Sequence, residues 1–392
     1  MRIKAIIHIK RFKENIKSVK ARIGQNGRIC VPVKADAYGH GALEISKASL
    51  ESGVYCLGVA AVSEGAILRK GGIKAPILLF SQPHPDEIPL LIKAKLTTFI
   101  SDEAFATALS KEAASARVKM PVHIKIDTGM GRIGCLVNES LALARHIKKC
   151  SGLTLTGTAT HFAVSDSSNL HDVEYTKTQI TRFKKAVNAI RAAGINPGIV
   201  HAANSGAVIL HPDSWFDMVR PGILLYGYKA VQEYEAPLDH LKKLTKLKTI
   251  LVEPVMELKT TVALIKKIKK GESVSYGRTW IADEDTYIGI LSVGYADGLP
   301  RLASNKWQVL INGEAYPIIG RISMDQCCIN LGPKPDIKRW DEAVVFGTDV
   351  VPEDPAKQVI LQNAAELASL VRSIPYEITC NVSKRVPRVY KR

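Results

Sequence analysis

Over roughly the first 230 residues, short β-rich apolar runs alternate with amphipathic stretches about eight times, which limits the possible folds more than any other feature. The runs lie near Cys30–Lys34, Val54–Ala60, Pro76–Phe80, Thr97–Ile100, Val122–Asp127, Leu153–His161, Gly198–Ala203 and Asp217–Arg220. Eight such units imply a (β/α)8 TIM-type barrel. One intervening helix is legible in detail: the stretch Glu174–Ala193 closes on Gly194 and is followed by Pro197, a stop signal before the next strand. Beyond about Ala236 the texture changes to runs such as MELKTTVALIKKI, TYIGILSVGYADG and WQVLINGEAYPIIGRISM, separated by turn residues. They predict a second, mainly β domain with one late helix near Gln362–Val371. A chain of 392 residues exceeds what one core usually holds. The expected domains are therefore 1–236, the barrel, and 237–392, the β-rich unit.

Charge and cysteine content narrow the function classes. The net charge of +17 is spread along the chain and concentrates only in short runs such as Lys266–Lys270 and the tail from Lys384, without aromatic residues between them to stack bases. Solvated helix faces and loop tips account for it, and nucleic acid is disfavoured as a partner. The seven cysteines are odd in number, scattered and never spaced C-x-x-C, which argues against a disulfide framework and against zinc or another metal. Apolar runs such as PILLF and PLLI are too short to span a bilayer. The expectation is a reduced, cytoplasmic protein with no membrane partner.

Residues with chemical potential fall at the C-terminal ends of the proposed barrel strands, where barrels build their sites. Lys34 ends the first, Arg132 follows the fifth, His161 ends the sixth, Asn204 and Ser205 follow the seventh, and Arg220 ends the eighth with Gly222 just beyond. Barrels often bind phosphate after the last two strands, the positions of Ser205 and Gly222. A lysine leaving an apolar strand beside Tyr38 and Gly39 fits a Schiff-base lysine next to a phosphate site. Taken alone, a lysine leaving a buried strand is more often just a solvated strand end.

The string VKADAYGHG (Val33–Gly41) resembles the cofactor-lysine motif of the alanine racemase family, pyridoxal-phosphate-dependent enzymes of fold type III. HIKIDTGMGRIG (His123–Gly134), THFA (Thr160–Ala163), ANSGA (Ala203–Ala207) and VRPGILLYG (Val219–Gly227) resemble it too, as do SYGRTW (Ser275–Trp280), VGYADGLPR (Val293–Arg301), GRISMDQ (Gly320–Gln326) and PYEITC (Pro375–Cys380). They follow the family's order across almost the whole chain. The resemblance implies that Lys34 carries pyridoxal 5'-phosphate on its amino group. The phosphate would be held by Tyr38, Ser205 and Tyr376 with backbone N–H groups near Gly222 and Ile223, and Arg220, tied to His161, would face the pyridine nitrogen. Arg132 and the backbone at Met324 would hold the substrate carboxylate, Tyr276 would be the second base, and Lys125 matches a position that is often carbamylated. A homodimer with shared sites is implied, in which Tyr276 of one chain reaches Lys34 of the other. Three positions depart from the family pattern: His8 and Lys10 stand where acidic residues are common, and Ser323 replaces a frequent cysteine.

The chemistry is coherent with these choices. Racemisation needs one base on each face of a planar carbanion, so a lysine and a tyrosine from different domains make physical sense. Arginine only donates hydrogen bonds, so opposite a ring nitrogen it requires an unprotonated acceptor, which weakens the electron sink and suppresses side reactions. Alanine is the expected substrate. Another small amino acid such as serine remains open as the alternative.

Overall fold

A computed structural model of the chain describes residues 2–24, 27–229, 250–347 and 362–392. Strand β1 (Ile3–His8) is followed by β2 (Arg28–Pro32), β3 (Cys56–Val59), β4 (Ile77–Leu79), β5 (Thr97–Ile100), β6 (Met120–Asp127), β7 (Cys135–Leu136), β8 (Leu153–Ala159), β9 (Ile199–His201) and β10 (Met218–Val219). Eight of these form a parallel sheet in the order β5-β4-β3-β2-β10-β9-β8-β6, and pairing of β5 with β6 closes it into a barrel. The short β7 adds to β6 outside the ring. The expected (β/α)8 architecture is therefore present, each strand within about three residues of its expected ends. The long helix runs Leu170–Ala192, and the chain turns at Gly194, whose φ is +68°.

The second unit contains β11 (Met256–Ile268), β12 (Ser273–Val274), β13 (Trp280–Ile281), β14 (Thr286–Leu291), β15 (Gln308–Ile311), β16 (Glu314–Ile319), β17 (Cys327–Gly332), β18 (Glu342–Phe346) and β19 (Arg388–Lys391). The order β14-β17-β16-β15-β18-β11, closed by a β11–β14 pair, makes an antiparallel barrel. The expected boundary at 236/237 falls outside the described residues.

The two ends of the chain were not legible as strands. β1 pairs antiparallel with β11, Ile3 opposite Thr260, and parallel with β19, Ala5 opposite Arg388. The first strand thus belongs to the second sheet, and the chain enters the parallel barrel only after the helix Ile9–Ile23. His8, one of the departures from the family pattern, lies with Nε2 2.9 Å from the Glu257 carboxylate on β11. The late helix spans Ala364–Leu370, and a second one, Pro375–Cys380, follows where a single helix was expected.

Candidate active site

β2 ends at Pro32, whose carbonyl accepts a bond from the Tyr226 hydroxyl at 2.8 Å. Lys34 does not continue the strand; it opens a tight turn, Lys34–Tyr38, in which Ala35, Asp36, Ala37 and Tyr38 all have φ between 50° and 54°. Four consecutive non-glycine residues in the left-handed region cost about 1–2 kcal/mol each. Such a turn persists only where its surroundings over-determine it. Gly39 follows at φ +83°, and a Cβ there would lie 2.1 Å from the Thr379 carbonyl oxygen, so the turn sits directly on the helix Pro375–Cys380. That helix presents Tyr376 beside Tyr38, ring centroids 5.5 Å apart, while Tyr226 flanks Tyr38 at 4.8 Å.

These elements surround a cavity of about 270 Å3 at the barrel mouth, near the lower end for small-molecule sites. Lys34, Tyr38, Lys125, Arg132, His161, Ser205, Arg220, Gly222 and Tyr376 all line it, together with Asn204, Phe80 and Phe99. Among the described residues the lining contains four basic side chains, Lys34, Lys125, Arg132 and Arg220, and no aspartate or glutamate. A site so composed is built for anions.

One wall is a cradle of hydroxyls and backbone. Ser205 Oγ accepts from Gly222 N–H at 2.8 Å and from Leu224 N–H at 3.3 Å. Burial pushes the Tyr376 hydroxyl up to about 12, opposed by its contacts with Ser205 and the Ile223 backbone. A Cβ on Gly222 would stand 2.8 Å from the Tyr38 hydroxyl, so only glycine keeps this corner open. The residues expected around a phosphate are thus gathered in one place, with Asn204 capping the short helix Ser205–Leu210 through Ala207 N–H.

The opposite wall is organised by Arg220. It donates from Nη1 to His201 Nδ1 at 2.6 Å and from Nη2 to the carbonyls of Thr160 and Ala202 at 2.8 and 2.9 Å. The expected tie to His161 is the longest of its contacts, at 3.3 Å. Because a guanidinium only donates, His201 must accept at Nδ1 and carry its proton on Nε2, which donates to His123 Nδ1 at 2.9 Å. Burial, reinforced by Arg220, pushes His201 well down and brings His123 to about 3, so both rings stay neutral. Sequence reasoning missed His201 and His123; the only available signal was their place on barrel strands at inward-facing positions. Burial also lowers Arg220, to about 10, leaving it charged at neutral pH.

The third wall carries Lys125 and Arg132. Asp127 Oδ1 accepts from the N–H groups of Gly129, Met130 and Gly131, and Oδ2 from Arg132 N–H at 3.1 Å, which fixes the loop bearing Arg132. Burial opposes ionisation of Asp127, but these four bonds outweigh it and hold its pKa below the ordinary value. Lys125 is buried, with Nζ 5.5 Å from the Phe99 ring centroid. Burial, then Arg220 and Arg132, push its pKa far below that of a free lysine. Burial and then Arg132 also lower Lys34, against a smaller opposing effect of Glu64. Burial and the nearby Lys125 and Arg220 keep His161 neutral.

Tyr276 and Met324 are not among the cavity's lining residues. Both are exposed on the second barrel, Tyr276 by 69 % and Met324 by 53 %. They share one face: Ser275 Oγ donates to the Arg321 carbonyl at 2.6 Å, and the carbonyls of Ser323 and Met324 accept from Tyr295 and Ala296 N–H at 3.1 and 3.0 Å. Tyr295, Leu302 and Ile281 are also exposed on this unit.

Comparison with known proteins agrees with this geometry. Residues 7–230 match the family described as alanine racemase, N-terminal domain, and residues 255–390 match alanine racemase, C-terminal domain. The chain is 48 % identical to the alanine racemase of Treponema denticola, over 99 % of this chain and 97 % of that one. It is 42 % identical to that of Treponema pallidum, over 99 % of each. Among solved structures, alanine racemase of Clostridium difficile 630 superposes with a TM-score of 0.89 at 33 % identity, covering 100 % of this chain and 96 % of that one. The Bacillus anthracis alanine racemase with bound L-Ala-P gives 0.86 at 29 % identity, covering 100 % and 95 %.

Proposed function

The chain belongs to the alanine racemase family, and from that premise we propose that it interconverts L-alanine and D-alanine with pyridoxal 5'-phosphate, using Lys34 and the Tyr276 of a second copy as its two bases. The observation that carries the site assignment is the composition of the barrel-mouth cavity: a lysine on a fixed turn, three further basic side chains and a hydroxyl cradle, with no carboxylate among the described lining residues.

The cofactor's fit is supported by the chemistry of this donor set. Tyr38, Ser205 and Tyr376 would hold its phosphate beside Gly222 and Ile223, in the corner that a Cβ would fill. Arg220 retains N–H capacity beyond its bonds to His201, Thr160 and Ala202, enough to donate to a ring nitrogen. When bound, pyridoxal phosphate supplies the electron sink that makes the α-proton of an attached amino acid removable.

The chain's own residues do the rest. Lys34 would hold the cofactor on its amino group, and its lowered pKa leaves the free amine neutral more readily, as a base on one face requires. Tyr276 serves the other face. It lies outside its own chain's cavity and is exposed, which supports a homodimer whose sites draw Tyr276 and the Met324 backbone from the partner. Arg132, held by the Asp127 loop, grips the substrate carboxylate as a charge-assisted donor. Arg220 stays protonated and would donate a hydrogen bond but no proton to the ring nitrogen, leaving the weaker electron sink that disfavours transamination. His161, neutral, steadies Arg220. Lys125, buried and held well below the pKa of a free lysine by burial, Arg220 and Arg132, would more readily offer the free amine that carbamylation by CO2 needs, and the resulting anion would offset both guanidinium charges.

Chiral analysis of products from a panel of L-amino acids tests the reading. D-Alanine should accumulate to equality with L-alanine, faster than D-serine from L-serine; no inversion of either by protein loaded with cofactor overturns it.

A further inference from the structure

Glu64 lies outside every motif that identifies the site, at the third position of the helix Val62–Lys70 after β3. Its Oε2 accepts from Ala60 and Ala61 N–H at 2.8 and 3.2 Å, the back-reaching half of a capping box at a helix start. Its Oε1 does something that capping does not require: it accepts from the N–H of Ala35 at 2.7 Å, 29 residues away, next to Lys34. One carboxylate therefore straps the end of β3 to the left-handed turn after β2.

The turn needs such a strap. Its backbone is strained at Ala35, Asp36, Ala37 and Tyr38, and while Ala37, Tyr38 and Gly39 are buried, Ala35 and Asp36 next to Lys34 are exposed. A cavity of about 480 Å3, lined among others by Ala35, Asp36, Gly39, Glu64 and Cys380, gives it room to relax. The far end has its own tethers, Asp36 Oδ1 accepting from Ala42 N–H at 2.7 Å and Arg388 Nε donating to Gly39 O at 2.9 Å. The end beside Lys34 is held by Ala37 N–H to Val33 O at 2.9 Å and by Glu64.

We infer that Glu64 is a positioning residue for Lys34: it locks the strained turn so that the Lys34 amine stays aimed into the barrel mouth. The inference rests on Lys34 being the cofactor-bearing base. The same carboxylate faces Lys34 electrostatically, with Cys380, against the effects of burial and Arg132.

Glu64→Ala in the full-length, cofactor-loaded protein tests it. The methyl side chain offers no acceptor to Ala35 N–H or to the helix-start N–H groups of Ala60 and Ala61. Hydrogen exchange at the Ala35 amide should rise at least tenfold while the barrel strands exchange as before. In racemisation kinetics kcat should fall about 10- to 100-fold, the range for a reacting group displaced by about an ångström. The KM for alanine should stay within about twofold, because Arg132 stands on a different loop. Unchanged Ala35 exchange, a kcat within twofold of wild type, or a rise in KM matching the loss in kcat each overturns the positioning role. Lys34→Ala run alongside separates the two layers: if that variant still acquires a borohydride-reducible link to the cofactor, the assignment of Lys34 itself is wrong, whatever Glu64 does.

Discussion

Replacing Gly222 with alanine probes the phosphate cradle with one added methyl. The new Cβ would sit 2.8 Å from the Tyr38 hydroxyl, 3.5 Å from its Cζ and 3.9 Å from Ser205 Oγ. Tyr38 cannot easily retreat, since it is buried between Tyr226 and Tyr376 and rides on the strained turn after Lys34. Moving Gly222 instead stretches its 2.8 Å bond to Ser205. Overpacking of this kind costs about 1–3 kcal/mol. If it falls wholly on the loaded state, the cofactor dissociation constant rises about 5- to 150-fold. Titration of cofactor-free protein with pyridoxal phosphate, followed by absorbance, measures this directly. At saturating cofactor the kcat should be largely retained, because Gly222 handles no proton. An affinity within twofold of wild type would refute the cradle, and a full loss of kcat with unchanged affinity would place Gly222 in the chemistry instead.

Two further outcomes follow from the same geometry. Lys34→Ala should abolish the borohydride-reducible attachment of cofactor, read by mass spectrometry of the intact chain, while leaving the thermal unfolding midpoint near that of wild type. For Glu257, burial opposes ionisation, but His8, Lys259 and Arg11 outweigh it and bring its pKa down to about 2. A folded-state pKa below the unfolded one contributes stability above about pH 4.5 that is lost as pH falls toward 2. Glu257→Gln should therefore flatten the decline of unfolding free energy between pH 4.5 and 2; an unchanged acid limb refutes that role for the β1–β11 contact.

The sequence made the barrel readable because each of its strands is a local apolar run, bounded by turn and helix signals that a short window contains. β1 shows the opposite case. Its partners lie about 250 and 380 residues away, and a run of six residues flanked by charges says nothing about distant pairing. The helix Pro375–Cys380 is too short to show a helical period. Within the site, candidates marked by side-chain type and motif, such as Lys34, Arg132 and Arg220, were legible, and all three line the cavity. Those whose role lies in hydrogen-bond connectivity, His201, His123 and Glu64, were not, because which acceptor a guanidinium or backbone N–H selects depends on the folded barrel. The left-handed turn was hidden for a similar reason: apart from Gly39, nothing in Ala35–Tyr38 signals positive φ.

The central claim is a site with two bases from two chains, and subunit complementation tests it most directly. Lys34→Ala and Tyr276→Phe homodimers should each be nearly inactive. In a hybrid dimer one site inherits both defects and the other neither, so random exchange of equal amounts leaves about a quarter of all sites intact. Mixing the two proteins after mild dissociation should restore roughly that fraction of wild-type alanine racemisation. No recovered activity, with hybrids confirmed by mass, would mean that Lys34 and Tyr276 do not meet across an interface.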